Sequence, residues 1–146
     1  MHPDFTDFIS DEDEKRILKA IARAENNTSG EIRVHLHRNG KGDVFKNAVK
    51  TFEKLGMTRT ALRNGVLIYI DVDKRQFAVI GDQGIHAKVD KEFWKRITDV
   101  LHRDFSQNKF TDGIVAAVLE IGKQLKRHFP YRKDDINELP DEISYQ

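Results

Sequence analysis

Val66-Leu-Ile-Tyr-Ile70 is apolar at every position, so whatever strand it forms must be covered on both faces. That demand excludes a sheet with one wet side and points to a central strand sandwiched between two helical layers. Upstream, Glu31-Ile-Arg-Val-His-Leu-His37 alternates strictly. Ile32, Val34 and Leu36 face a core, and Glu31, Arg33, His35 and His37 share the other face, which predicts a half-covered strand. Downstream, Asp71-Val-Asp-Lys-Arg75 reads as a hairpin connection and Gln76–Ile80 as the returning strand.

The flanking segments carry helical spacing. Ser10 followed by Asp11, Glu12 and Asp13 is a capped helix start, with Ile17, Leu18, Ile21 and Ala24 behind it. Asp43 can cap a second helix that places Val44, Phe45, Ala48, Val49, Phe52 and Leu55 on one side. Val89 to Phe105 forms a third stripe. Ile114 to Phe129 forms a fourth, expected to be capped by Asp112 and stopped by Pro130. The order helix, strand, helix, strand, strand, helix, helix predicts an α/β fold. It is a three-layer α/β/α sandwich with a small mixed sheet, one parallel βαβ unit, an antiparallel hairpin and helices on both faces. Residues 1–130 read as a single domain and 131–146 as a polar, loosely packed C-terminal tail.

Composition narrows the function. The 146 residues carry a formal net charge of +1 with basic and acidic side chains interleaved, which does not support a nucleic-acid groove. The absence of cysteine removes disulfides, thiolate metal sites and cysteine nucleophiles. The start lacks the basic and apolar regions of a signal peptide, and no apolar run is long enough to span a bilayer, so a cytoplasmic location is expected. No phosphate-cradling glycine loop or nucleophile elbow is present.

The predicted topology sorts the polar residues to two sheet edges. Glu31 and Asn64 open two parallel strands, and the returning strand brings Asp82, held in Gly81-Asp82-Gln83-Gly84, back to their edge. Two carboxylates and an amide oxygen converging there suit Ca²⁺ or Mg²⁺; the alternative is that Asp82 only caps a turn through its own backbone. Asp71 and Asp73 at the opposite edge form a second candidate metal pair. An Asp-x-Asp after an apolar strand also occurs in haloacid-dehalogenase phosphohydrolases, but here Lys74-Arg75 and a second strand follow, which fits a hairpin turn. His35 and His37 could chelate a transition metal but have no third ligand set by spacing. His86, near Asp82, offers either a proton donor or a plain loop histidine.

Several phrases occur in a telling order: Ser29-Gly-Glu-Ile-Arg-Val34, Arg63-Asn-Gly-Val-Leu-Ile-Tyr69, Gly81-Asp-Gln-Gly-Ile85 and Phe105-x4-Phe110-x-Asp-Gly-Ile114. Together, over about residues 6–129, they resemble the TPM domain family. The closing Asn137-Glu-Leu-Pro-Asp-Glu-Ile-Ser144 is similar to the tail of its short, stand-alone bacterial type. The resemblance implies an α/β/α sandwich, divalent-cation binding and, from a plant thylakoid relative, acid phosphatase activity. Asn64-Gly65 and the Gly81/Gly84 loop match the family's pattern. Arg63 stands where many relatives have Asp, Gln83 where they have Tyr, and Lys109 where an acid is common; these departures bear on activity more than on fold. The function this suggests is a Ca²⁺- or Mg²⁺-binding module for interaction or assembly, with an unidentified protein partner. The alternative is a metal-assisted phosphomonoesterase using His86.

Overall fold

The computed structural model describes residues 3–26, 28–131 and 142–146. A 3-10 turn at Pro3–Phe5 leads into α1 (Asp11–Glu25), β1 (Glu31–His37) and α2 (Val44–Lys54). A second 3-10 turn at Met57–Arg59 precedes β2 (Gly65–Asp71), β3 (Gln76–Gly81) and α3 (Gln83–His86). Helices α4 (Lys91–Phe105) and α5 (Phe110–His128) and strand β4 (Ile143–Tyr145) follow. The sheet order is β3-β2-β1-β4; β1 pairs in parallel with both β2 and β4, while β3 returns antiparallel to β2. This is the expected mixed sheet with helices on both sides.

The alternation of β2 explains the layers. Val66, Ile68 and Ile70 join Ile32, Val34 and Leu36 in a large core with α1, α4 and α5, whereas Leu67 and Tyr69 point the other way and pack with Val44, Ala48 and Phe52 of α2. All seven residues of β2 are buried, as a strand apolar on both faces requires. Helix α1 begins with a reciprocal capping box: the Asp13 backbone N–H donates to Ser10 Oγ at 3.1 Å, and the Ser10 N–H donates to Asp13 Oδ2 at 3.0 Å. Helices α1 and α5 cross so closely that a Cβ on Gly122 would lie 2.5 Å from Ala24 Cβ.

Four expectations are corrected. Strand β1 is buried on both faces: Glu31, Arg33 and His35 are all buried, with Arg33 paired to Glu142 and His35 held by Ser144 and Gln146 of the tail. On α2, Phe45 and Val49 face solvent, since the helix lies over β2 and β3 and turns that flank outward. Helix α5 starts at Phe110, earlier than the cap expected at Asp112, whose carboxylate instead accepts from Arg16 at 2.9 Å. The tail ends in order: Ile143, Ser144 and Tyr145 register against Val34, His35 and Leu36. A three-residue strand carries too little periodicity to stand out in sequence. The segment 137–141 of the tail motif lies outside the described residues.

Ile143 is nearly fully buried in the main core. Ile143→Ala is therefore expected to cost about 2 kcal/mol in urea denaturation. A midpoint unchanged from wild type would show that β4 adds nothing to the fold.

Candidate functional site

Two clusters of polar groups lie at opposite ends of the parallel pair, and the register of β1 on β2 places both. At the N-terminal end Glu31 pairs with Gly65, and the Asp82 N–H donates to the Gly65 carbonyl at 3.0 Å. Glu31 and Asp82 thus flank Gly65 from two neighbouring strands, about 10 Å apart at the backbone. Asn64 is buried between them, its carbonyl 3.4 Å from the Glu31 N–H and its amide 3.4 Å from Ser29 Oγ. The three candidate ligands therefore share one rim.

What Asp82 faces, however, is a guanidinium. Arg63 Nε donates to Asp82 Oδ2 at 2.6 Å and Arg63 Nη2 to Oδ1 at 2.8 Å, a bidentate pair. Oδ1 also accepts the Gln83 N–H at 2.8 Å and so caps α3, a turn of helix that the sequence pattern did not announce. The hydrogen bond to Asp82 raises the Arg63 pKa above its already high value. The glycines that frame Asp82 serve packing. A Cβ on Gly84 would sit 2.1 Å from the Leu62 carbonyl, and one on Gly81 would sit 2.3 Å from the Trp94 ring. Both carboxylate oxygens of Asp82 are engaged, so a cation at this rim would have to displace a charge that Arg never gives up. The His86 ring lies 4.9 Å from the Trp94 ring and is exposed.

At the C-terminal end His37 pairs with Asp71, where the loop 38–43 crosses the hairpin turn 71–75. Asp73 Oδ2 accepts the Asn39 N–H at 2.6 Å, and Lys74 Nζ donates to the Gly42 carbonyl at 2.8 Å. Asn39 and Gly42 adopt left-handed backbone (φ 59 and 86), which Asn and Gly tolerate best. Asp71 is fully buried; its Oδ1 accepts the Lys74 N–H at 3.1 Å, while Oδ2 has no hydrogen-bond partner among the described residues. Gly40 lies directly over that oxygen, where a Cβ would come within 2.7 Å. A buried carboxylate oxygen without a donor is costly, and this one suits a hard cation or its water. Among the described residues no group of three His, Cys, Asp or Glu could hold a metal. A cation at either end would thus draw on carbonyls and water as well.

The paired histidines of β1 have separate structural duties. His35 Nδ1 lies 2.6 Å from Ser144 Oγ, and Nε2 lies 3.1 Å from Gln146 Oε1. Its ring stacks on Tyr69. His37 Nδ1 bonds the Tyr69 hydroxyl. Burial lowers the His35 pKa to about 4 and lowers that of His37 as well. Buried Tyr69 is pushed up to about 12, so its hydroxyl keeps its proton.

A small three-layer α/β/α domain with polar loops at both ends of a parallel strand pair is the class these features define. The TPM domain model matches residues 3–124, and the chain belongs to that family. Among solved structures, the BA42 protein from the psychrophilic bacterium Bizionia argentinensis is 44% identical over 95% of this chain and 96% of its own, with a TM-score of 0.90. The N-terminal domain of the cg2496 protein from Corynebacterium glutamicum is 16% identical, covers 83% of this chain and 76% of its own, and has a TM-score of 0.66. An N-terminal domain from P. gingivalis is 18% identical over 86% and 82%, with a TM-score of 0.69; these last two likenesses speak for the fold alone. No curated protein matches the chain. Among the described residues no helix is long and apolar enough to cross a membrane.

The lowered His35 pKa has a consequence for stability. Between its folded value of about 4 and the ordinary 6.5, the unfolded chain binds more protons, so stability falls as pH drops through that window. The full shift corresponds to about 3 kcal/mol. His35→Gln should lose this component, read as a smaller drop in unfolding free energy from pH 7 to pH 4. Parallel pH profiles for the variant and wild type would contradict it.

Proposed function

We propose that this TPM domain binds a divalent cation, Ca²⁺ or Mg²⁺, between the loops 38–43 and 71–75, and that the cation organises an adjoining interaction surface. The observation that carries the reading is the buried, unpartnered Oδ2 of Asp71 under Gly40. Asp73, tied to Asn39 across the two loops and 3.7 Å from the Arg38 guanidinium, a looser contact than the bidentate pair at Asp82, supplies the second carboxylate. Carbonyls of the glycine-rich loop and water complete an oxygen-only set, the preference of hard cations. The rim of Asp82, Glu31 and Asn64 ranks below it because Arg63 and the α3 backbone already engage Asp82. Support for an interaction role comes from Phe45 and Val49, one turn apart and solvent-facing on the helix that begins where loop 38–43 ends.

The phosphomonoesterase alternative rests on the resemblance. Its candidate acid or base, His86, is packed on Trp94 rather than joined to the Asp82 carboxylate by any hydrogen bond shown. The binding reading therefore takes precedence.

Titration with Ca²⁺ or Mg²⁺ should shift the amide signals of 38–43 and 71–75 in a saturable way. Asp71→Asn, which keeps the hydrogen-bond acceptor for Lys74, should weaken binding at least tenfold. Shifts centred on 29–32, 63–65 and 81–86, with binding intact in Asp71→Asn, would place the ion at the Asp82 rim instead.

A further inference from the structure

Helix α2 packs chiefly over β2 and β3, so the space beside it opens where β1 ends at the half-buried His37. A cleft of about 480 Å³ opens there, a volume suited to a small organic ligand. Asn47, Lys50, Thr51 and Lys54 line it from α2, at the i, i+3, i+4, i+7 spacing of one helical face, and His37 and Gln146 line it from the sheet. The cleft lies at the carboxyl ends of parallel strands, where open α/β sheets bind their ligands.

Its chemistry is dominated by donors. His37 Nδ1 is taken up by the Tyr69 hydroxyl, which leaves Nε2 as the ring nitrogen free to meet a ligand. Gln146 presents Oε1 to His35, which leaves its amide N–H groups for the cleft. Among the described residues neither Lys50 nor Lys54 is in an ion pair, and Glu53 is the one carboxylate side chain lining the space. The two ammonium groups are rooted four residues apart, about 6 Å along the helix. That spacing matches two anionic groups joined by a short carbon chain better than one compact anion.

We infer that this cleft binds a small dicarboxylate, one carboxylate held by Lys50 and the other by Lys54 with His37 and Gln146. The cleft adjoins the proposed cation loops, because His37 and Asp71 both lie against Gly40, but its two lysines stand on α2 and do not depend on a bound cation.

Succinate is the probe. Added at constant ionic strength, it should shift the amide signals of 36–37, 47–54 and 144–146 to saturation, while acetate produces only weak, non-saturating changes. Lys50→Ala and Lys54→Ala, both at exposed positions that leave the core intact, should each weaken succinate binding roughly tenfold. Lys95→Ala on the far helix α4 should leave it unchanged. Equal responses to acetate and succinate would overturn the inference. So would succinate affinity preserved in both cleft variants, or inorganic phosphate binding the same residues more tightly than succinate.

Discussion

The parallel register of β1 on β2 decides where every polar group of interest ends up. Pairing Glu31 with Gly65 forces His37 opposite Asp71 six residues later, so one alignment builds both ends of the sheet. The hairpin then carries Asp82 back beside Gly65. A slip of one residue would turn Ile32, Val34 and Leu36 out of the core and scatter both clusters. The alignment is held by the apolar rows that β1 and β2 present to α1, α4 and α5.

The same alignment buries charge and imidazole on the α2 side, and β4 is what makes that tolerable. Arg33 finds Glu142 at 2.9 Å, and His35 finds Ser144 and Gln146. The Gln146 N–H donates to the Leu36 carbonyl, and the Arg38 N–H donates to that of Gln146. A short edge strand is thereby tied to buried polar groups, which would otherwise face a large desolvation cost. Its contribution is as much polar as apolar.

The architecture was legible in the sequence because it rests on long periodic signals: alternation in β1, the apolar run of β2 and the helical stripes. The polar face of β1 misled, since alternation alone cannot tell water from polar neighbours such as Tyr69, Ser144 and Gln146 around His35. Phe45 and Val49 misled for the related reason that a helical period does not say which flank meets the sheet. That Glu31, Asn64 and Asp82 lie at the same end of the sheet followed from topology alone. The partner of Asp82 did not, although a cue was present: Arg63 brings a positive charge beside the buried carboxylate. The weight of Asp71 was also hidden, because a buried oxygen without a donor is a fact of packing and not of spacing.

The proposed cation site lies between the loops that cross over Asp71, not at the rim around Asp82. A crystal grown with Ca²⁺ and read for its anomalous signal addresses it most directly. The account predicts a peak at about 2.3–2.6 Å from Asp71 Oδ2, with Arg63 still paired to Asp82. A peak on Asp82 with the Arg63 guanidinium swung away, and none near Asp71, would contradict it.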